Sequence, residues 1–371
     1  MAYVKNARRI IINENVGATN SRPCYKEITI NKENNMKPKK IFLIIIFALI
    51  IVGIGISILG SEKSIRKDSS KIHVVSSNFA SYDFLRAIIG DNKNVELTFL
   101  MGPGKDAHSY DPTAKDLITI QNADLFVYVG GEIEKWTPKV LEAINVDNTE
   151  VVCIADFVDT IEEKEVDGAE EDEHEHSHEH EEDEHEEEHE HEEGAFDEHI
   201  WTSPSNAVKM VKALEQSMEK IDNENKEIYK ANAEKYIEKI KEVDSKIQEI
   251  VDNRVRNRLV FGDKMPMQYF IEYYGLEVSA AFNGCSTEVD PSASTIAYLE
   301  DRVKEENIPV VLYIELNNGK VAKTIADEVG NGVHAMQIQT LHNVSLDDFR
   351  NNETWVSLMT RNIDVLKKAL L

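Results

Sequence analysis

The feature that most constrains the fold is an alternation between short apolar runs, rich in β-branched residues, and longer segments with a helical pattern. Eight such runs occur, four between residues 72 and 154 and four between residues 259 and 340. Strands that alternate with helices along a chain form parallel sheets, because each helix returns the chain to the same end of the sheet. The sequence therefore predicts an α/β fold with two lobes, each containing a mostly parallel sheet flanked by helices.

A long helical pattern separates the two sets of runs. Apolar residues recur at three- and four-residue steps from Tyr229 to Ile250, without Pro or Gly. At about 1.5 Å per residue, a helix over 223–254 is longer than a small domain is wide, so we expect it to link the lobes. A dimeric coiled coil is the alternative, which the flanking sheet-forming segments disfavour. The predicted first lobe spans residues 71–222, and the predicted second lobe spans residues 255–371.

The N-terminal part has a different character. Residues 41–59 are almost uninterruptedly apolar and follow a cluster of three lysines. A run of this length crosses a bilayer as a helix, and the lysines favour the cytoplasm for the end that precedes it. We therefore interpret residues 36–60 as a secretory signal or an anchor, with the rest of the chain extracytoplasmic and tethered to the cell membrane. Residues 1–35 are interpreted as an unstructured extension before a second possible start at Met36.

Negative charge is concentrated in one stretch of the chain. The formal net charge is −27, and residues 162–193 hold 20 acidic residues against one lysine. Seven of the twelve histidines lie in the same stretch. Like charges at this density keep a segment unfolded, and imidazoles with carboxylates bind divalent zinc, so we predict a disordered, metal-collecting loop. The acidic balance argues against nucleic acid as a partner.

Two common zinc motifs are excluded. The string from His185 to His189 matches HExxH by letter, but its charged neighbours leave no apolar helix face to present both imidazoles to a buried ion. The three cysteines have no paired spacing, so they define neither a disulfide framework nor a zinc ribbon.

Two further histidines lie in loops beside predicted elements of the first lobe. His108 belongs to GPGKDAHSYDP, which follows a strand ending near Leu100, and His199 belongs to FDEHIWTSP, which leads into a helix. Ligands of open α/β sheets bind at the carboxyl ends of strands, so the two histidines can meet at one edge. Either histidine alone would fit an ordinary surface or capping role.

Five features follow one another along the chain: HSYDPT, the acidic histidine run, DEHIWTSP, the long helix, and FGD with GCSTEVDPSAST after it. In this arrangement the chain resembles the metal-binding receptors of bacterial zinc and manganese ABC importers, the zinc branch especially, from about residue 72 to the C-terminus. The resemblance implies two α/β lobes joined by one rigid helix, with the metal in the cleft between them. It also implies that His108 and His199 are the ligands from the first lobe.

The second lobe departs from the family pattern. Family members commonly read FHD after the first strand of this lobe and use that histidine as a third ligand, whereas this chain has Gly262, which cannot ligate. His342, which follows the last strand, is the leading replacement. Asp263 can add an oxygen or orient a ligand. Cys285 and Glu315 are further candidates.

Three neutral imidazoles suit tetrahedral zinc, whereas a manganese site would carry more carboxylates. We therefore expect a monomeric zinc receptor without catalytic activity, which captures one ion between its lobes and delivers it to the membrane permease of an ABC importer. Two alternatives stay open. One is an extracellular zinc hydrolase with Asp263 or Glu315 as the general base. The other is a manganese receptor or surface adhesin of the same fold.

Overall fold

The strands of the first lobe form one parallel sheet. The computed structural model describes residues 71–169, 196–284 and 290–371. The elements of the first lobe are β1 (Ile72–Ser76), α1 (Phe79–Ile89), β2 (Val95–Phe99), α2 (Ala114–Gln121), β3 (Leu125–Tyr128), α3 (Thr137–Ala143), β4 (Glu150–Cys153) and α4 (Pro204–Ile221). All neighbouring strands are parallel, in the order β2-β1-β3-β4.

The second lobe repeats this plan after the helix α5 (Lys226–Asp252). Its elements are β5 (Arg258–Lys264), α6 (Gln268–Tyr274), β6 (Glu277–Phe282), α7 (Ala293–Glu305), β7 (Val310–Ile314), α8 (Lys320–Val329), β8 (His334–Ile338), α9 (Leu346–Arg350) and α10 (Trp355–Leu370). The sheet is again parallel, in the order β6-β5-β7-β8. The predicted fold class, two α/β lobes with parallel sheets, is therefore confirmed.

Helix α5 is the long helix that the periodicity predicts. It begins three residues later than predicted, because Asn223–Asn225 form a 3-10 turn, and it ends at Asp252. At about 1.5 Å per residue its 27 residues measure roughly 40 Å. It contacts α1 and α4 of the first lobe, and its Asp244 accepts a hydrogen bond from the hydroxyl of Tyr274 in the second lobe at 2.8 Å. It therefore has partners in both lobes.

Two buried tryptophans pack where the lobes meet. The indole N–H of Trp201 donates to the carbonyl of Thr340 at 3.0 Å, and the indole N–H of Trp355 donates to the carbonyl of Trp201 at 2.9 Å. One apolar core continues through this region and includes residues of both sheets, such as Val74 and Leu259. The lobes are consequently packed against each other by side chains as well as joined by α5.

The segment after β4 crosses to the second lobe, which the sequence did not predict. Asp167 forms a parallel bridge with Ser279 on the edge strand β6, and its carboxylate accepts hydrogen bonds from Ser279 Oγ at 2.7 Å and from Arg258 at 3.2 Å. Residues 162–169 are therefore fixed by these contacts, although they fall inside the predicted disordered loop 162–193. An edge strand with unpaired backbone groups and a neighbouring arginine explains the difference. The rest of that predicted loop, from residue 170, lies outside the described residues.

The predicted N-terminal segments, 1–35 and 36–60, also lie outside the described residues. Within the three described ranges, none of the helices combines the length and the apolar character needed to cross a bilayer.

Candidate metal centre

The loop after β2 carries His108 and is held from both sides. Asp106 accepts a hydrogen bond from the backbone N–H of His108 at 3.0 Å, which closes a tight turn before the histidine. From the second lobe, the side-chain amide of Asn343 donates to the carbonyl of Lys105 at 2.6 Å. The backbone N–H of Gly104 donates to the carbonyl of Val344 at 2.8 Å. These bonds place His108 at the junction between the lobes.

Asp197 fixes His199 just before a 3-10 turn that spans Ile200–Thr202. One oxygen of the Asp197 carboxylate accepts both the backbone N–H of His199, at 2.7 Å, and its ring Nδ1–H, at 3.0 Å. Because the carboxylate can only accept, Nδ1 carries the proton, and the lone pair of the neutral ring lies on Nε2. This fully buried imidazole is therefore oriented to offer Nε2 as a metal ligand.

His342 follows β8 and is placed through its backbone. Its N–H donates to Glu315 Oε1 at 2.9 Å. The same carboxylate accepts the backbone N–H of Thr340 at 2.8 Å and the Thr340 hydroxyl at 2.9 Å. The residue before the histidine, Leu341, has a left-handed backbone with φ of 59°. Three hydrogen bonds to one buried carboxylate thus hold the loop in the turn that brings His342 to the site.

The three histidines converge on one point. Each of His108, His199 and His342 offers a ring nitrogen, and these three atoms all lie within 4.8 Å of one another. The Nε2 atom of each ring is buried and has no hydrogen-bond partner. Zinc–nitrogen bonds of about 2.0–2.1 Å in a tetrahedron put ligand nitrogens about 3.3 Å apart, so a modest contraction would let all three bind one ion. Buried, unpartnered nitrogens are costly unless a ligand satisfies them.

The three imidazoles differ in how readily they take up a proton. Burial lowers the pKa of His108 to about 4, and the neighbouring His199 adds to the shift. Burial also places the pKa of His342 well below its ordinary value, with His199 and His108 contributing. Burial opposes the charge on His199 too, but the Asp197 carboxylate holds the pKa of His199 above its ordinary value. An arriving cation therefore meets two neutral rings and competes with a proton mainly at His199.

Comparison with known proteins identifies the family. The family model described as "Zinc-uptake complex component A periplasmic" (ZnuA) matches residues 74–369. The chain belongs to the ZnuA family. The high-affinity zinc uptake system protein ZnuA of Bacillus subtilis is 31% identical over 331 residues, which cover 89% of this chain and 97% of that protein. The zinc-binding lipoprotein AdcA of Streptococcus pneumoniae is 30% identical over 304 residues, 82% of this chain but only 57% of AdcA.

Solved structures of ZnuA-like proteins share the fold. The metal-dependent lipoprotein YcdH from Bacillus subtilis superposes with a TM-score of 0.65 at 27% identity, covering 81% of this chain and all of YcdH. The Zn(II)-bound ZnuA-like domain of Streptococcus pneumoniae AdcA superposes with a TM-score of 0.63 at 26% identity, covering 81% of this chain and 99% of that domain.

At Gly262, where ZnuA-type receptors commonly carry a histidine, a side chain has no room. A Cβ atom built there would lie 2.7 Å from both the backbone N and the Cα of Ala322 in α8. Strand β5 is also irregular in its pairing with β6 between Phe261 and Lys264. The local packing of α8 on β5 is therefore incompatible with a histidine at this position unless the helix moves.

Asp263 is close to the histidines but lies outside their group. Its carboxylate accepts the backbone N–H of Lys264 at 2.8 Å and the backbone N–H of Ile314 at 3.2 Å, and burial raises its pKa. It lines a cavity of about 600 Å³ together with His342 and Glu315. Of the predicted site residues, the structure thus brings His108, His199 and His342 together and gives Asp263 a role in joining β5 to β7. Cys285, a weaker candidate, lies outside the described residues.

Asp197 is a site residue that the sequence analysis does not identify, and the structure gives Glu315 a contact that the sequence does not predict. Asp197 stands two residues before His199 in DEHIWTSP, and an acidic residue at that spacing was the available signal for a ring partner. Glu315, which the sequence offers as a candidate ligand or general base, has oxygens that accept hydrogen bonds from the loop of His342. Nothing in its sequence context distinguishes these roles.

Proposed function

We propose that this chain is the extracytoplasmic zinc receptor of an ABC importer. It binds one zinc ion through His108, His199 and His342 and delivers it to the membrane permease. The observation that carries the proposal is the convergence of three buried imidazole nitrogens without partners from two lobes. Membership of a family of zinc-uptake components and the names of the relatives, a zinc uptake system protein and a zinc-binding lipoprotein, support it.

The donor atoms favour zinc over manganese. Neutral imidazole nitrogens are typical ligands of zinc, whereas manganese prefers carboxylate and water oxygens. In the described part of the chain, the clustered ligand atoms are all imidazole nitrogens. A manganese receptor of the same fold is therefore the less favoured reading.

Zinc binding requires the two lobes to stay close, and zinc release requires them to separate. His108 and His199 come from the first lobe and His342 from the second, so a small separation of the lobes removes one nitrogen of three. The continuous core and α5 restrict the lobes to small tilts. Docking on a permease that favours such a tilt would lower zinc affinity without unfolding either lobe.

The hydrolase alternative has little support from the site. It requires a carboxylate that can take a proton from a metal-bound water. Asp263 and Glu315, the two candidates, use their oxygens to accept backbone hydrogen bonds. We therefore propose a receptor that catalyses no reaction.

Isothermal titration of the purified, chelator-stripped protein tests the proposal. We expect one tight zinc ion per chain, in addition to any weaker sites, and no displacement of it by a tenfold excess of Mn²⁺. Absence of a tight zinc site, or its displacement by Mn²⁺, would contradict the assignment.

We further propose that residues 36–60 tether the receptor to the membrane and that the histidine-rich segment raises the local zinc concentration. Deletion of residues 170–193 should remove weak zinc sites and leave the tight site unchanged in the same titration. Loss of the tight site on deletion would show that this segment, and not the histidine cluster, is the receptor site.

A further inference from the structure

The three-histidine cluster supplies neither a fourth ligand for tetrahedral zinc nor a negative charge to offset the ion. Zinc in a tetrahedral protein site takes four ligands. Three neutral imidazoles would leave both positive charges of the ion uncompensated, and Lys264, which lines the same cavity as His342, adds another. A carboxylate in the fourth position would offset part of this charge in a partly buried site.

Asp106 is the carboxylate that lies near enough to the three-histidine cluster to fill the fourth coordination position. Its Oδ1 atom is 3.9 Å from Nε2 of His342, and Asp106 and His342 line the same cavity. Its side chain is 52% exposed, so it keeps rotational freedom. Because Oδ1 already accepts the backbone N–H of His108, the residue contacts the loop of one ligand and faces the ring of another.

The other nearby carboxylates are engaged. Asp197 holds the ring of His199, Glu315 holds the loop of His342, and Asp263 joins β5 to β7. Oδ2 of Asp106 accepts no hydrogen bond from any residue in the described ranges, and Asp106 faces an Nε2 atom of the cluster, whereas Asp197 faces the Nδ1 side of His199. Asp106 stands outside the group of atoms within 4.8 Å, so ligation requires its side chain to rotate until Oδ2 reaches the roughly 3.3 Å expected between tetrahedral ligands.

We infer that Asp106 is the fourth zinc ligand, binding through Oδ2 while Oδ1 keeps the turn that presents His108. This inference rests on the proposed function, because it assigns a residue to the same zinc site. The carboxylate is half exposed and also near a buried nitrogen of the cluster, so an ion entering from solvent can reach it.

The test uses cobalt as a spectroscopic probe in the full chain with the substitution Asp106→Asn. An asparagine can still accept the N–H of His108, so the turn is preserved while the anionic ligand is lost. We expect zinc affinity to fall at least about tenfold. We also expect the visible absorption of the Co²⁺ form to change between about pH 7 and 9 in the variant, because a metal-bound water replaces the carboxylate and ionises in that range. The Co²⁺ form of the unsubstituted protein should show no such change.

The control is Asp111→Asn, which removes the same charge from an exposed position of the same loop. It should leave both affinity and spectrum unchanged. If Asp106→Asn matches this control in both readouts, or if the unsubstituted protein already shows the pH-dependent spectrum, Asp106 is not a ligand. Failure of the proposed function is a separate result, because the unsubstituted protein would then bind neither Zn²⁺ nor Co²⁺ tightly.

Discussion

The two lobes present their histidines by different means. In the first lobe, Asp197 bonds directly to the ring of His199, fixes its tautomer and raises its pKa against the effect of burial. In the second lobe, Glu315 bonds to the backbone around His342, whose pKa burial lowers. The two acidic residues therefore serve the histidine cluster in different ways. Asp197 raises the pKa of the ligand His199, and Glu315 fixes the backbone position of the ligand His342.

Removal of a ligand from either lobe should have the largest effect. If His199 and His342 share one ion, then His199→Ala and His342→Ala should each weaken zinc binding on the order of 100-fold or more, because each removes about a quarter of the binding free energy of a four-ligand site. Isothermal titration measures the loss. His334→Ala, at an exposed histidine of β8, is the control and should bind as the parent does. Parent-like affinity in His342→Ala would mean that the second lobe contributes no ligand.

Substitution of the two acidic residues should separate their roles. Asp197→Asn should weaken zinc binding roughly 10- to 100-fold, because the ring of His199 loses its carboxylate partner. Glu315→Gln should act mainly on folding, lowering the free energy of unfolding by about 1–3 kcal/mol, since buried donors lose an acceptor. Titration and urea denaturation of both variants provide the comparison. The reverse pattern would show that the two carboxylates have been assigned to the wrong roles.

Restoring the common family histidine should harm this chain. Gly262→His forces side-chain atoms against the backbone of Ala322, so we expect the free energy of unfolding to fall by about 1–3 kcal/mol with no gain in zinc affinity. Gly262→Ala tests the clash alone and should already destabilise. Tighter zinc binding in Gly262→His would mean that α8 can move away and that a histidine at position 262 can still bind the metal.

Zinc affinity should decrease as the pH is lowered, because a proton competes with the metal at His199 of the first lobe. The pKa of His199 is raised above its ordinary value, so its proton competes with the metal at neutral and lower pH, whereas His108 stays neutral down to about 4. The association constant should therefore fall about tenfold per pH unit below the pKa of His199. Asp197→Asn should flatten this dependence. Equal zinc affinity of the parent at pH 5 and 7.5 would contradict this assignment.

Much of the fold is encoded locally, which is why it could be predicted. The strands and α5 have hydrophobic periodicities that follow from their own backbone geometry, and β–α alternation then implies parallel sheets. The same topology places loops after β2 and β8 at the carboxyl ends of strands. Because β2 and β8 belong to different sheets, this topology alone does not bring His108 and His342 together. Their placement in one site follows from the resemblance to metal receptors, which implies a metal between the lobes.

Other features depend on packing that the sequence does not display. The obstruction at Gly262 arises from α8 lying on an irregular part of β5, and β-strand alternation does not fix side-chain direction there. The crossing of residues 162–169 depends on Asp167 meeting Arg258 from a distant strand. A contact between two charged residues has no periodic sequence pattern, so Asp167 could not be distinguished from the other acidic residues of its segment.

Anomalous diffraction at the zinc absorption edge tests directly whether imidazoles from both lobes bind a single cation. A zinc-loaded crystal should give one strong peak about 2.0–2.1 Å from Nε2 of His108, His199 and His342. A peak bonded only to first-lobe residues, or one lying away from this cluster, would contradict the account.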